Sequence, residues 1–112
     1  MRLNYLIILF GVLYPQMTFL DSLYYSYDEI RDSLYAWQEE FGTVEHPFDN
    51  YQNTIVYQLD SIGVSASESL PIYAVKLSIN ADQNEDEPRV LILGQCHAEE
   101  IYGVEMSMAL IE

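Results

Sequence analysis

The chain has 112 residues, which is enough for one small domain, and half of them are hydrophobic. Its net charge of −14, from 18 acidic and 4 basic side chains, argues against nucleic acid and anionic membrane surfaces as partners, because both are polyanions. Ten tyrosines and one tryptophan argue against a disordered acidic tail, and the single cysteine, Cys96, excludes an internal disulfide.

Residues 1–22 are predicted to be a secretory signal peptide. Arg2 gives a short positive start, Leu6–Leu13 is an apolar run, and Pro15 follows it. Only one basic residue precedes the run and no Ala-x-Ala cleavage motif is present, so an uncleaved N-terminal anchor is the alternative. Cleavage is favoured, which predicts a secreted or periplasmic, extracytoplasmic protein with no stable membrane insertion.

A helix is predicted over Ser26–Gly42. Ser26 and Glu29 form the capping-box pattern S-x-x-E, and Gly42 is well suited to end the helix. Large apolar side chains recur at spacings of three and four, which predicts a single stripe facing the core. The stripe consists of Tyr27, Ile30, Leu34, Trp37 and Phe41.

Two strands are predicted after a polar loop. The loop spans Thr43–Thr54, and we expect its histidine, His46, to lie at the surface. Alternating apolar residues predict strands at Ile55–Ile62 and Ile72–Ile79, joined by a small polar turn. The acidic stretch Asn80–Pro88 lacks the ligand spacing of an EF-hand calcium loop, so it is predicted to be a solvated hairpin turn.

A third strand and a closing helix flank the residues that could carry chemistry. Val90–Leu93 is a run of four large apolar residues, which suits a strand buried on both faces, and Glu99–Glu112 has helical periodicity. Between them lie His97 and Glu100, whose nitrogen and oxygen atoms are good zinc donors. Ligands bind where strands of an α/β sheet end, so both are candidate metal ligands, and the alternative is a polar loop histidine beside helix-capping acids. Their neighbour Cys96 is expected to be buried, because adjacent side chains on an extended strand point in opposite directions.

The order of these motifs resembles the zinc carboxypeptidases of the carboxypeptidase A and B type. That family has a strand, an acidic turn, a second strand, and then H-A-x-E followed by an apolar residue and a glycine. The corresponding pieces here are Pro71–Ser78, Glu85–Pro88, Arg89–Gly94, His97–Glu100, Ile101 and Gly103, with Tyr25–Ile30 and Ser61–Ser65 as similar pieces upstream.

The resemblance implies an α/β fold in which residues 23–112 form a partial mixed β-sheet flanked by helices. They would be the N-terminal portion of a catalytic domain that removes C-terminal residues from peptides or proteins. A Zn²⁺ ion would be held by His97, Glu100 and a second histidine downstream, with a glutamate as general base and arginines that bind the substrate carboxylate. No histidine, arginine or lysine follows His97, so no catalytic residue is assigned and the truncated chain alone is expected to be inactive.

One residue of the motif departs from the family. Glu99 stands where the family often has arginine, which removes a positive charge from the substrate-binding set. Two alternatives therefore stay open. The first is a non-catalytic carboxypeptidase-like module that binds peptides or a partner, and the second is an unrelated small acidic exported protein whose H-x-x-E is coincidental.

Overall fold

The structure, a computed structural model, describes residues 23–97 and 99–112. In chain order these form helix α1, a short 3₁₀ helix, strands β1 and β2, and helix α2. Their bounds are Tyr27–Phe41 for α1, Asp49–Tyr51 for the 3₁₀ helix, Tyr57–Val64 for β1, Pro71–Leu77 for β2 and Ile101–Ile111 for α2. Two helices with a two-stranded antiparallel sheet agree with the predicted α/β class at the coarse level.

The described residues divide into two compact units. The first combines residues 23–30 with Val90–Glu112, and the second is the continuous stretch Arg31–Arg89. The predicted signal peptide, residues 1–22, lies outside the described part of the chain. Within that part, no helix has both the length and the apolar character that a membrane crossing requires.

Helix α1 begins at the predicted capping box. The Ser26 backbone N–H and hydroxyl both donate to Glu29 Oε2, at 2.8 and 2.7 Å, and the Glu29 N–H donates to Ser26 Oγ at 3.3 Å. The Ser26 amide first, and its hydroxyl second, hold the pKa of the Glu29 carboxyl below its usual value. The helix ends at Phe41, one residue before the predicted end at Gly42, so the predicted helix is confirmed.

Strands β1 and β2 form an antiparallel hairpin. Tyr57 pairs with Leu77, and the regular register continues to Ser61 and Tyr73. Ile62 is then an extra residue, a β-bulge, because the next pair along the ladder is shifted by one position. Both predicted strands are confirmed, although β1 begins and ends two residues later than predicted.

The hairpin loop lies before β2. The Ser65 N–H donates to Leu70 O at 2.8 Å, and the Leu70 N–H donates to Ser65 Oγ at 3.0 Å. Ser69 has a φ of 55°, in the left-handed region that tight turns use. The prediction of a hairpin turn at Asn80–Pro88 is therefore wrong, because β2 pairs with the strand that precedes it and not with one that follows.

Helix α1 packs on the hairpin through a tyrosine. Tyr57 is 2% exposed, and its hydroxyl donates to Leu34 O at 3.1 Å. Nearby, the Leu59 N–H donates to the Gln38 side-chain oxygen at 2.7 Å. Burial raises the pKa of the Tyr57 hydroxyl to about 12, because its ionised form would lose hydration. Leu34 lies in the middle of the predicted apolar stripe and is buried, as that stripe requires.

The loop histidine is buried, so the prediction of a surface position for His46 is wrong. Its side chain is 8% exposed. The Nδ1 atom accepts the Phe48 N–H at 3.2 Å, which places the ring proton on Nε2, 3.1 Å from Thr54 O. Loop backbone groups form hydrogen bonds with both ring nitrogens, so the ring is buried without leaving an unpaired polar atom.

The prediction of a buried third strand at Val90–Leu93 is also wrong. These four residues form neither helix nor strand, and their side chains are 58–89% exposed. A run that is apolar at every position can be buried only between two covering layers. Nothing among the described residues covers these side chains, so they remain at the surface.

Candidate functional site

The predicted ligands lie in one turn at the start of α2. The Glu100 N–H donates to His97 O at 3.0 Å, and the Gly103 N–H donates to Glu100 O at 3.1 Å. The Glu100 carboxylate folds back over the same turn. Its Oε2 atom accepts the N–H groups of Cys96 and His97, both at 3.1 Å. Glu100 therefore closes the turn with its own side chain, a structural role that the sequence did not reveal.

The side chains of this turn point into solvent. Cys96, His97, Glu99 and Glu100 are all exposed, and Cys96 is a free thiol. The prediction that Cys96 is buried is wrong, because it assumed an extended strand in which neighbouring side chains alternate. In a turn the backbone changes direction at each residue, so that alternation does not apply.

The turn offers two side chains of the types that bind zinc. His97 supplies an imidazole, and Glu100 keeps its Oε1 atom outside both backbone contacts, which end on Oε2. A catalytic zinc takes three protein ligands and leaves a fourth position for water. Residues 23–97 and 99–112 contain no group of three His, Cys, Asp or Glu side chains placed to hold one ion. A catalytic zinc at this turn would need a third ligand in addition to His97 and Glu100.

The small size of two glycines lets the segment before the turn pack closely against helix α2. A methyl group added at Gly103 would overlap the carbonyl oxygen of Gly94. A methyl group at Gly94 would lie 3.1 Å from Ser107 Oγ, and that hydroxyl already donates to Gly103 O at 2.9 Å. The small size of Gly103 was expected to permit close packing against a sheet. Its close neighbour is instead Gly94, three residues before His97.

Residues 23–30 hold the other side of α2. The Tyr25 N–H donates to Glu105 Oε1 at 2.9 Å. The rings of Tyr24 and Tyr102 meet edge to face, with centroids 6.1 Å apart. A hydrogen bond to Tyr102 raises the pKa of the Tyr24 hydroxyl. The Tyr25–Glu105 bond joins positions 80 residues apart in the chain, and the tyrosine pair is similarly distant, so no local pattern in the sequence could have indicated these contacts.

No known protein family, curated protein or solved structure matches the chain. Its function must therefore be inferred from the turn and from the sequence motifs that lead to it. The turn offers an imidazole and a carboxylate oxygen on an exposed, strongly acidic chain. Such a surface can bind a metal cation, and it would repel an anionic ligand.

Proposed function

We propose that the chain carries the N-terminal portion of an exported zinc carboxypeptidase domain. His97 and Glu100 are two of its zinc ligands, and the C-terminus of a peptide or protein is its substrate. The domain has a mixed β-sheet flanked by helices, to which β1 and β2 contribute. With two of three ligands, and without a general base, the chain alone is inactive.

The order of the sequence motifs supports this proposal. A strand, an acidic turn, an apolar segment and H-A-x-E follow one another as they do in the zinc carboxypeptidases that the sequence resembles. Export is supported by the apolar run Leu6–Leu13 after Arg2, which has the composition of a signal peptide.

The observation that carries the proposal is the conformation of Glu100. Its Oε2 atom accepts two backbone N–H groups, which restrains the carboxylate and leaves Oε1 for a ligand. Contacts of this kind orient metal-binding carboxylates and are part of a functional metal site. His97 lies three residues earlier in the same turn and is also exposed, so one cation could contact both side chains.

In this proposal His97 and Glu100 bind the Zn²⁺ ion, and the turn orients the Glu100 carboxylate. The bound zinc would polarise the scissile carbonyl and lower the pKa of a bound water toward about 7. The two backbone N–H groups of the turn hold Oε2 and thereby set the direction of Oε1. Glu99 adds negative charge beside the ion, so contact with the substrate carboxylate must come from residues outside this turn.

A second candidate is a non-catalytic carboxypeptidase-like binding module. Glu99 favours it, because a carboxylate replaces the substrate-binding arginine of the family that the sequence resembles. The reading frame beyond Glu112 distinguishes the two candidates. The enzyme requires a second histidine, a glutamate and arginines in that frame, whereas a binding module does not require them.

Metal binding by the purified chain tests the ligand assignment. We expect His97→Ala and Glu100→Gln each to weaken Zn²⁺ binding at least tenfold in competition with a chromophoric chelator. Glutamine keeps an oxygen for the two backbone N–H groups, so Glu100→Gln removes the charged donor and retains the turn. The matched control is Glu99→Gln, which should stay within twofold of the wild type. Equal affinities for all four proteins would refute the assignment.

A peptide-release assay tests the expected inactivity. The purified chain, loaded with Zn²⁺, should release no C-terminal residues from peptide substrates with basic, aromatic or acidic ends. Stoichiometric release that EDTA abolishes would show that the chain is a complete catalyst, and would overturn this part of the proposal.

A further inference from the structure

An apolar hollow lies in the unit formed by Arg31–Arg89. Its volume is about 300 Å³. This is at the lower end of the range for ligand sites, about 300–1,000 Å³, so the hollow suits one or two large side chains. Five apolar side chains and one hydroxyl line it: Phe48, Tyr51, Val56, Leu77, Ser78 and Ile79.

Contacts with residues outside the hollow fix the positions of its lining residues. The Phe48 ring stacks on Phe41, with centroids 5.4 Å apart, and meets the buried His46 ring at 5.6 Å. At the hairpin end, the Ser78 N–H donates to Val56 O at 3.3 Å and continues the β1–β2 pairing by one bond. Since these contacts do not depend on a ligand, the hollow is present before any partner arrives.

The apolar lining is half open to solvent. Phe48, Tyr51, Leu77 and Ile79 each expose 45–53% of their surface. Exposed apolar side chains that line a single concave surface are typical of binding sites, whereas isolated ones are ordinary. The lining therefore points to an apolar occupant.

Charge limits what that occupant can be. Arg31–Arg89 contains eleven acidic side chains and three basic ones. Each basic side chain is already engaged: Arg31 with Asp32, Lys76 with Glu87, and Arg89 with Asn84 and the Glu85 carbonyl. The surface thus has an excess of acidic side chains and attracts cations.

Two carboxylates lie beside the hollow itself. The hydroxyl of the lining residue Ser78 donates to both Glu87 carboxylate oxygens, at 3.0 and 2.9 Å. Asp49 is exposed and lies in the 3₁₀ helix between the lining residues Phe48 and Tyr51. Lys76 Nζ lies 3.6 Å from Glu87 and offsets its charge, so an occupant would meet the negative charge of Asp49 next to the apolar surface.

We propose that this hollow is the docking site for a cationic peptide segment that inserts one large apolar side chain and places basic residues beside it. A second copy of the chain is a poorer occupant, since two molecules of charge −14 repel each other. The site lies in the unit without the His97–Glu100 turn, so it does not rest on the proposed zinc chemistry.

The test uses the full chain in EDTA at low salt, with fluorescein-labelled peptides and fluorescence anisotropy. The probe is Lys-Lys-Trp-Lys-Lys, and the controls replace tryptophan with alanine or all lysines with glutamate. We expect each control peptide to bind at least tenfold more weakly than the probe. Equal binding of the alanine peptide would reduce the interaction to non-specific charge attraction and overturn the proposal.

Two variants locate the binding surface. Ile79→Ser changes the lining and should weaken probe binding at least fivefold, whereas Ile62→Ser changes an exposed isoleucine in the bulge and should have no effect. Tyr51→Ala, outside the sheet, gives an independent lining variant if Ile79→Ser fails to fold. Equal effects of lining and bulge variants would refute the location. Sedimentation velocity that shows a dimer lost only in the lining variants would assign the hollow to a second copy and overturn the cationic partner.

Discussion

At the scale of single residues, the burial of Tyr57 and the burial of His46 could not be predicted equally well. Tyr57 shares one strand face with Ile55 and Leu59, whereas Gln58 and Asp60 lie on the other, so burial of the first face follows from the sequence. His46 lies in a polar loop, and its burial depends on the Phe48 N–H and the Thr54 carbonyl. Loop composition carries no information about which backbone groups will meet an imidazole, so only the structure could reveal this position.

Tyr57→Phe tests the buried hydroxyl. The variant should lose about 1 kcal/mol of unfolding free energy at pH 7, the usual net value of one hydrogen bond. The exposed Tyr51 provides the control Tyr51→Phe, which should be near neutral. Urea unfolding followed by circular dichroism measures both. A Tyr57→Phe variant as stable as the wild type at pH 7 would contradict the role of the bond to Leu34 O.

The same variant has a pH dependence of defined sign. The pKa of Tyr57 is about 12 in the folded chain and close to 10 in an ordinary environment. Between these values the folded form binds the proton more tightly, so the wild type loses stability as the pH rises from about 10 to 12. The stability advantage of the wild type over Tyr57→Phe should be constant below pH 10 and shrink above it. An advantage that grew with pH would contradict the direction of the shift.

At the scale of elements, capping and periodicity predicted helix α1 and strands β1 and β2, whereas the pairing of segments in space could not be predicted. The capping box and the apolar stripe predicted α1, because a helix start depends on residues three positions apart. Alternation predicted both strands. The pairing of β1 with β2, and the exposure of Val90–Leu93, depend on which segments meet in space. For the candidate site, residue types indicated His97 and Glu100, whereas the backbone contacts of Glu100 could not be predicted.

Gly103→Ala tests the contact between α2 and the turn. In an exposed helix this change would stabilise by roughly 1 kcal/mol, because alanine has the higher helix propensity. Here the added methyl group meets the Gly94 carbonyl, and overpacking typically costs about 1–3 kcal/mol. We therefore expect a net loss of unfolding free energy of up to about 2 kcal/mol. The control Met106→Ala, at an exposed position of the same helix, should change stability by no more than about 0.5 kcal/mol. A stabilised Gly103→Ala would show that the contact does not exist.

At the scale of the whole molecule, net charge and exposed apolar surface have opposite effects on association between copies of the chain. The chain has a net charge of −14, which keeps copies apart, and it also exposes four consecutive apolar residues at Val90–Leu93. Apolar segments of high strand propensity are aggregation-prone when exposed, and Pro88 and Arg89 stand immediately before this one. Solubility therefore depends on ionised carboxylates.

Aggregation should increase as the pH approaches the isoelectric point of about 4.1, where repulsion between copies vanishes. Static light scattering during an acid titration measures this. Leu91→Lys should remain soluble at several-fold higher concentration than the wild type. Met106→Lys adds the same charge at an exposed position of α2 and should behave like the wild type. If Leu91→Lys is no more soluble than Met106→Lys, the segment Val90–Leu93 does not control aggregation.

The division of the chain into units has a consequence for folding during synthesis. Arg31–Arg89 is continuous, and its hairpin closes through a short loop, so its contacts can form in microseconds once this stretch has left the ribosome. Residues 23–25 emerge earlier and yet must wait for a partner, because the Tyr25 N–H bonds to Glu105. The order of structure formation is therefore the reverse of the order of synthesis at this end of the chain.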